Sequence, residues 1–170
     1  MPVQRLNHAV LYVRDIQRST AFYTDLLDFR TVRSIPGRAV FLQADGSSND
    51  HDLGLFQLDG ADPPTAGQST AGLYHLAWEV DTLGELRRIE RRLRSEGALV
   101  GAADHLTTKA LYAIDPDGIE FEVCWLLPAE LVAGIAPERW PLTQRLDLDA
   151  EIARYGAETR GGIGVSVLPG

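Results

Sequence analysis

Residues 73–81, LYHLAWEVD, decide the fold because they restart a pattern already present in residues 6–15, LNHAVLYVRD. Both stretches are short, apolar and in part β-branched, which predicts a β-strand. Each is followed by a segment with apolar residues at helical spacing and then by three further strand-like segments. The chain therefore contains an internal repeat of about 65 residues, and each copy is predicted to form β-α-β-β-β.

In the first copy, Asp15 opens a helical pattern that runs through IQRSTAFYTDLLDF, residues 16–29. Three strands are then predicted, over RTVRSI (30–35), AVFLQAD (39–45) and DLGLFQLD (52–59). Turn-forming residues and polar loops separate them, which supports three separate strands rather than one long element.

In the second copy, residues 82–97 place leucine and isoleucine on one side of a predicted helix and arginines on the other. Three strands are again predicted, over LVGAADH (99–105), KALYAIDP (109–116) and GIEFEVCWLL (118–127). The sequence DPDG between the last two has proline and glycine where a chain reversal favours them.

The repeat defines the expected domain, residues 1–128, with modules at about 5–59 and 72–128. A connector rich in Pro, Gly, Ser and Thr, residues 60–71, is predicted to be a linker. Each module has one sheet face to bury and can bury it against the other, so the modules are expected to share a core.

The repeat stops before residues 129–170, which we treat as a C-terminal extension. A short helix is predicted at 148–155, and we expect 129–155 to pack across the domain or onto a partner subunit. The Gly-rich end, 156–170, is expected to be mobile.

Composition narrows the function classes. A formal net charge of -8 argues against a broad phosphate-binding surface, so no nucleic-acid partner is expected. The single cysteine, Cys124, cannot form a disulfide within the chain, and the start lacks a signal-peptide pattern, which predicts a cytoplasmic protein. No apolar run approaches the roughly 20 residues needed to span a bilayer, so no membrane association is expected.

The chemistry is predicted to lie on the opening and closing strands of the repeat. His8 and His75 occupy the same place, third in each opening strand, and Glu120 and Glu122 lie on the last strand. A carboxylate in an apolar strand is costly unless something compensates it. Two histidines and one carboxylate suit Fe(II) or Mn(II) with open coordination positions, although a period of two does not choose between the glutamates.

The repeat, the openings LNHAVLYVRD and YHLAWEV, and the DPDG turn followed by Glu together resemble the vicinal oxygen chelate superfamily, over about residues 5–128. This superfamily contains glyoxalase I, fosfomycin-resistance and bleomycin-binding proteins and extradiol dioxygenases. The resemblance implies an α+β fold of two tandem βαβββ modules whose sheets form one cupped metal-binding cavity, in a homodimer or larger oligomer. It places the metal ligands at His8, His75 and Glu122, because the family's Glu follows the turn glycine by four residues.

Within the superfamily, the chain is similar to the single-domain catechol 2,3-dioxygenase type. That similarity places an acid-base histidine at His51 and substrate-contacting residues at His105 and Tyr112. It implies an Fe(II)-dependent extradiol dioxygenase of aromatic catabolism, with Mn(II) as a possible metal and with a catechol-type diol and O2 as substrates. After His105 the dioxygenase type tends to have a Gly-Val-Ser-like stretch, where this chain has Leu106–Thr108.

Two alternatives remain open. A glyoxalase-like lyase or isomerase would carry a further carboxylate on the last strand of the first module, where we expect Leu55 or Phe56 to stand, with Gln57 as the nearest polar ligand candidate. A metal-free binding or resistance protein of the same fold would not need His8, His75 and Glu122 together. The absence of a fourth carboxylate favours the dioxygenase, whose substrates need open coordination positions.

Overall fold

The computed structural model describes residues 2–3, 5–60, 71–132 and 143–162. The predicted α+β class is confirmed, with one four-stranded and one five-stranded sheet and the order β-α-β-β-β occurring twice. The elements are β1 (Ala9–Val13), α1 (Ile16–Leu27), β2 (Arg30–Ile35), β3 (Ala39–Gln43), β4 (Leu53–Gln57), β5 (Leu76–Glu79), α2 (Leu83–Ser95), β6 (Leu99–Asp104), β7 (Thr108–Ile114), β8 (Glu120–Leu126), α3 (Ala129–Val132), β9 (Gln144–Arg145) and α4 (Leu148–Tyr155).

The opening strands are shorter than predicted. β1 begins at Ala9 and β5 at Leu76, so His8 and His75 each precede their strand by one residue rather than lying third within it. In the first module, Ala9 N donates to Asp52 O at 3.0 Å and is paired with Leu53, which places the start of the ladder after His8. The two histidines nevertheless keep equivalent positions.

Contacts divide the chain into two units. The first comprises the chain up to residue 69 together with 115–119, and the second comprises the remainder. In the first unit the strand order is β1-β4-β3-β2, with β1 parallel to β4. Helix α1 begins where the sequence predicts, because the Asp15 carboxylate accepts hydrogen bonds from the backbone N–H groups of Gln17 and Arg18, both at 3.0 Å.

In the second unit the strand order is β5-β8-β7-β6-β9, with β5 parallel to β8. Helix α2 is capped by Thr82, whose Oγ1 accepts from Glu85 N at 3.2 Å. Its buried residues form one face at helical spacing, and they are Leu83, Leu86, Ile89 and Leu93.

The described part of the extension belongs to the second unit. Strand β9 pairs antiparallel with β6. Lys109, which is 2% exposed, lies 2.5 Å from the Asp104 carboxylate and 2.9 Å from that of Glu151 on α4. Gly161 N donates to Asp81 O at 2.7 Å. Most of the predicted linker, 61–70, and the last residues, 163–170, lie outside the described residues, and the domain boundary at 128 stays a prediction.

No helix among the described residues combines the length and apolar character that crossing a membrane requires.

The DPDG turn is held within the first unit by a buried carboxylate. Asp117, 4% exposed, accepts hydrogen bonds from Arg14 N at 3.0 Å, Arg14 Nε at 2.9 Å and Ser19 Oγ at 2.8 Å. Burial alone would raise the pKa of Asp117, but the bonds from Arg14 and Ser19 outweigh it and hold that pKa below its usual range. Tyr23 OH donates to the neighbouring Asp115 at 3.0 Å.

Replacing Asp117 by Asn should lower the free energy of unfolding by about 2 kcal/mol near neutral pH, because three donors lose a charged acceptor. The folded-state pKa of Asp117 is depressed, so its contribution is complete above the unfolded pKa of about 3.9 and is lost as the pH falls through the folded pKa. The difference between wild type and D117N should therefore shrink below about pH 4 in urea unfolding experiments. Asp45→Asn, at an exposed position, is the control. A difference that stays constant with pH would contradict this account.

Candidate active site

The six residues predicted for the site fall into two groups. His8 and His51 lie in the first unit, and the second unit contains His75, His105, Tyr112 and Glu122.

In the first unit the rings of His8 and His51 lie together, with centroids 4.5 Å apart. Phe41 packs edge-on against His51 at 5.1 Å. His51 Nδ1 lies 3.1 Å from the carboxylate of Asp50, and this hydrogen bond lowers the pKa of Asp50. With Nδ1 engaged in this way, Nε2 of the neutral His51 ring is the nitrogen that can accept a proton.

Two polar residues that sequence reasoning missed build the loop that holds His51. The buried Asp52 carboxylate accepts from Ala44 N at 2.9 Å, Ser47 Oγ at 2.8 Å and Asn49 Nδ2 at 2.7 Å. Asn49 Nδ2 also donates to Asn7 O at 2.8 Å, which ties the segment before His8 to the loop before His51. The cluster of Ser, Asn and Asp in GSSND is the signal that could have indicated such a side-chain-stabilised turn.

In the second unit Glu122 and His75 form a close pair. Glu122 is 8% exposed, and its Oε2 lies 3.2 Å from His75 Nε2. Strand register accounts for the position of Glu122, because it is paired with Ala77, two residues after His75, and with Tyr112 on the other side. Within the described residues His75 Nδ1 is buried without a hydrogen-bond partner.

This pair fits two ligands of a divalent metal ion. Metal–ligand bonds of about 2.1 Å at a right angle leave the two ligand atoms about 3 Å apart. The observed 3.2 Å between His75 Nε2 and Glu122 Oε2 agrees with that spacing. Among the described residues, no group of three or more His, Cys, Asp or Glu side chains is arranged to hold a metal ion.

Tyr112 connects the pair to His105. Its hydroxyl oxygen lies 3.0 Å from His105 Nε2. Burial, together with the charge of Glu122 and a hydrogen bond to it, raises the pKa of Tyr112 to about 12. Tyr112 is therefore protonated at neutral pH, and it is paired with Glu122 across the β7–β8 ladder. The predicted residues of this unit thus form one connected polar chain.

Cys124 is not part of this polar chain. It is 7% exposed, and burial together with the charge of Glu122 raises the pKa of its thiol to about 12. A buried thiol held in its protonated form is a poor ligand and a poor nucleophile.

The repeat identifies the position in the first unit that corresponds to Glu122. Glu122 is paired with the second residue after His75, and in the first unit Gly54 is paired with Val10, the second residue after His8. The equivalent of Glu122 is therefore Gly54. The expectation of Leu55 or Phe56 was wrong by one or two residues, because the register of β4 against β1 is not visible in the sequence.

Gln57, the other ligand candidate, is engaged in the fold of the first unit. Its Oε1 accepts from Ile16 N at 2.9 Å, at the start of α1. Its Nε2 donates to Arg14 O at 2.7 Å and to Asp59 Oδ1 at 3.1 Å. The Gln57 amide oxygen, which would be the metal-binding atom, thus already accepts a hydrogen bond at the start of α1.

Residues 5–123 match the model of the Glyoxalase/Bleomycin resistance protein/Dioxygenase superfamily. The catechol-2,3-dioxygenase of Bacillus subtilis is 30% identical over 118 residues, which is 69% of this chain and 40% of that protein. The biphenyl-2,3-diol 1,2-dioxygenase 3 of Rhodococcus globerulus is 34% identical over 115 residues, 67% of this chain and 59% of that protein. The chain thus spans about half the length of these two dioxygenases.

Other similarities point to other activities or to the fold alone. The mitochondrial methylmalonyl-CoA epimerase of Bos taurus is 29% identical over 110 residues, 58% of this chain and 61% of that protein. The crystal structure of a glyoxylase/bleomycin resistance protein/dioxygenase domain from Frankia sp. EAN1pec superposes with a TM-score of 0.59 at 26% identity, covering 72% of this chain and 98% of that chain.

Replacing Tyr112 by Phe should lower the free energy of unfolding by about 1–2 kcal/mol, because His105 loses the hydroxyl that lies 3.0 Å from its Nε2 and the buried Glu122 loses a polar neighbour. Tyr12→Phe is the matched control, since Tyr12 is 68% exposed and its hydroxyl is expected to contribute less than about 0.5 kcal/mol. Chemical denaturation of both variants measures the difference. Equal stability of the two would show that the Tyr112 hydroxyl is not integrated into the fold.

Proposed function

Because the chain belongs to the Glyoxalase/Bleomycin resistance protein/Dioxygenase superfamily, we propose that it is an extradiol ring-cleaving dioxygenase acting on a catechol-type aromatic diol and O2. The observation that carries the proposal is the polar chain of the second unit, in which Glu122 lies 3.2 Å from His75 and His105 lies 3.0 Å from the hydroxyl of Tyr112. It combines a metal-ligand pair with hydrogen-bonding groups for a substrate oxygen.

The proposed metal ligands are His8, His75 and Glu122, with Fe(II) as the metal and Mn(II) as the second choice. His75 and Glu122 fit on spacing and burial, whereas His8 is included because the repeat gives it the position equivalent to His75. When bound, such an ion would supply a Lewis acid with open coordination positions for the diol and O2.

The remaining predicted residues would transfer a proton or donate hydrogen bonds to the substrate. His51 would take a proton from a diol hydroxyl at Nε2, since Asp50 engages its Nδ1. His105 and Tyr112 would donate hydrogen bonds to a substrate oxygen as negative charge develops on it. Cleavage of the ring C–C bond beside a hydroxyl-bearing carbon places both atoms of O2 in the product, a ring-opened semialdehyde, so no separate reductant is required.

The epimerase match keeps a lyase or isomerase as the second candidate. Two observations favour the dioxygenase over it. The position equivalent to Glu122 in the first unit is Gly54, which has no side chain to act as a ligand, and the amide of Gln57 already caps the start of α1. A metal-free binding protein is disfavoured because it has no need for a buried carboxylate beside a histidine whose Nδ1 lacks a partner among the described residues.

Activity in the cytoplasm and assembly into a homodimer or larger oligomer remain predictions from the sequence.

The test is oxygen uptake by the anaerobically purified protein, reconstituted in parallel with Fe(II), Mn(II), Zn(II) or Ni(II) and supplied with catechol and with 3- and 4-substituted catechols. Uptake with Fe(II) or Mn(II), accompanied by the yellow absorbance of a ring-opened product, is expected. It should be lost in His75→Ala and Glu122→Ala, because each removes a ligand.

Glu120→Ala is the matched control, since it removes a carboxylate two residues away on the same strand. It should retain uptake. No uptake with any catechol, while one ion still binds per chain, would shift the assignment to the lyase or isomerase. A chain that binds none of the four metals would be a binding protein.

A second test adds the missing carboxylate. A Cβ at Gly54 would lie 3.4 Å from the nearest Val10 methyl and 3.5 Å from Phe56, which are ordinary contacts, so a side chain should be tolerated. Gly54→Glu should strengthen metal binding and abolish oxygen uptake, because an added ligand would occupy a position that the substrates need.

Gly54→Leu is the control for bulk without a carboxylate. It should not strengthen metal binding, which isothermal titration with Mn(II) measures for both variants. Unchanged uptake and unchanged Mn(II) affinity in Gly54→Glu would contradict the assigned ligand set.

A further inference from the structure

The polar chain of the second unit does not end at His105. Nδ1 of His105 lies 3.0 Å from Oγ1 of Thr143, in the C-terminal extension beyond the repeat. We propose that Thr143 is a positioning residue that holds the His105 ring with Nδ1 toward Thr143 and Nε2 toward Tyr112. The catalytic role of Thr143 rests on the proposed dioxygenase activity, in which His105 contacts the substrate.

Both nitrogens of the His105 ring have a hydroxyl partner. Nδ1 lies 3.0 Å from Thr143 Oγ1, and Nε2 lies 3.0 Å from the hydroxyl oxygen of Tyr112. A hydroxyl can donate or accept, so the protonated nitrogen of the neutral ring donates to its partner and the bare nitrogen accepts from its own. Partners at both nitrogens hold the plane of the imidazole, and removal of Thr143 Oγ1 takes away the partner of Nδ1.

Thr143 is held in place by the residue that follows it. Gln144 Nε2 donates to the Asp104 carboxylate at 3.0 Å, and Gln144 is paired with Asp104 in the β6–β9 ladder. The same carboxylate lies 2.5 Å from the buried ammonium of Lys109. Asp104 directly precedes His105, so one anchored carboxylate fixes the chain next to both members of the Thr143–His105 pair.

The backbone at His105 is fixed separately from its ring. His105 N donates to Thr108 O at 2.9 Å, and Leu106 has a φ of 68°, in the left-handed region. That conformation is strained for a non-glycine residue, and Leu106 is retained there with its side chain 5% exposed. The imidazole of His105 can still rotate about its side-chain bonds, so a partner on each nitrogen is needed to hold it.

The experiment uses the full chain with 15N-labelled histidine, as purified and after addition of Zn(II), which is diamagnetic. Long-range 1H–15N correlation spectra at about pH 8, above the usual histidine pKa of about 6.5, distinguish the two neutral tautomers. The resonance missing from His105→Gln identifies His105. Wild type and Thr143→Ser should show one neutral tautomer of His105 with a slowly exchanging ring proton, and Thr143→Val should show the averaged shifts of the two tautomers and lose that protected proton.

Catechol cleavage provides the second readout. The kcat of Thr143→Val should fall by about tenfold with KM changed by less than about twofold, as expected when the partner that orients a histidine is removed. Thr143→Ser should restore kcat, because it keeps the hydroxyl. Thr159→Val is the matched control in the same extension, since its hydroxyl bonds to Tyr155 O and not to His105.

Thr143→Val with the wild-type His105 spectrum and wild-type kcat would overturn the inference, and so would equal losses in Thr143→Val and Thr159→Val. If wild type turns over no diol, the proposed function fails, and the spectra alone then decide whether Thr143 orients His105.

Discussion

The buried carboxylate of Glu122 is the constraint on which the second unit's polar architecture depends. Left unpaired, an ionised side chain that is 8% exposed would cost several kcal/mol. His75 lies 3.2 Å from it and Tyr112 is paired with it across the β7–β8 ladder, so both polar neighbours lie where they can compensate its charge. Tyr112 in turn lies 3.0 Å from His105 Nε2. The buried acid is thus connected through Tyr112 to His105.

The first unit compensates its buried carboxylates in a different way. Its buried acid, Asp117, is compensated by Arg14 and Ser19 and supports a turn, and Asp52 is compensated by loop donors and supports the segment that holds His51. Protein donors thus supply hydrogen bonds to both of these carboxylates. Glu122 faces a histidine whose second nitrogen lacks a partner among the described residues, which supports its proposed role as a metal ligand.

The spacing of apolar residues was sufficient to predict most of the fold. Asp15 and the apolar spacing behind it predicted α1, apolar spacing alone predicted α2, and β2 spans Arg30–Ile35 as predicted. The prediction failed where a contact depends on register or on distant chain segments. Gly54 was missed because the pairing of β4 with β1 cannot be read from composition, and Thr143 was missed because it meets a residue 38 positions earlier and lies outside the repeat.

The difference between the candidate activities comes down to very few positions on a shared fold. The repeat duplicates the elements but not the acid: one copy has Glu122 and the other has Gly54 at the equivalent register. Gln57, three residues further on, is committed to the start of α1, so it cannot substitute for the missing carboxylate without uncapping that helix. In the proposed ligand set, an asymmetric repeat of this kind would supply fewer ligands than a symmetric one, and a metal with fewer protein ligands has more positions open to a chelating diol and O2.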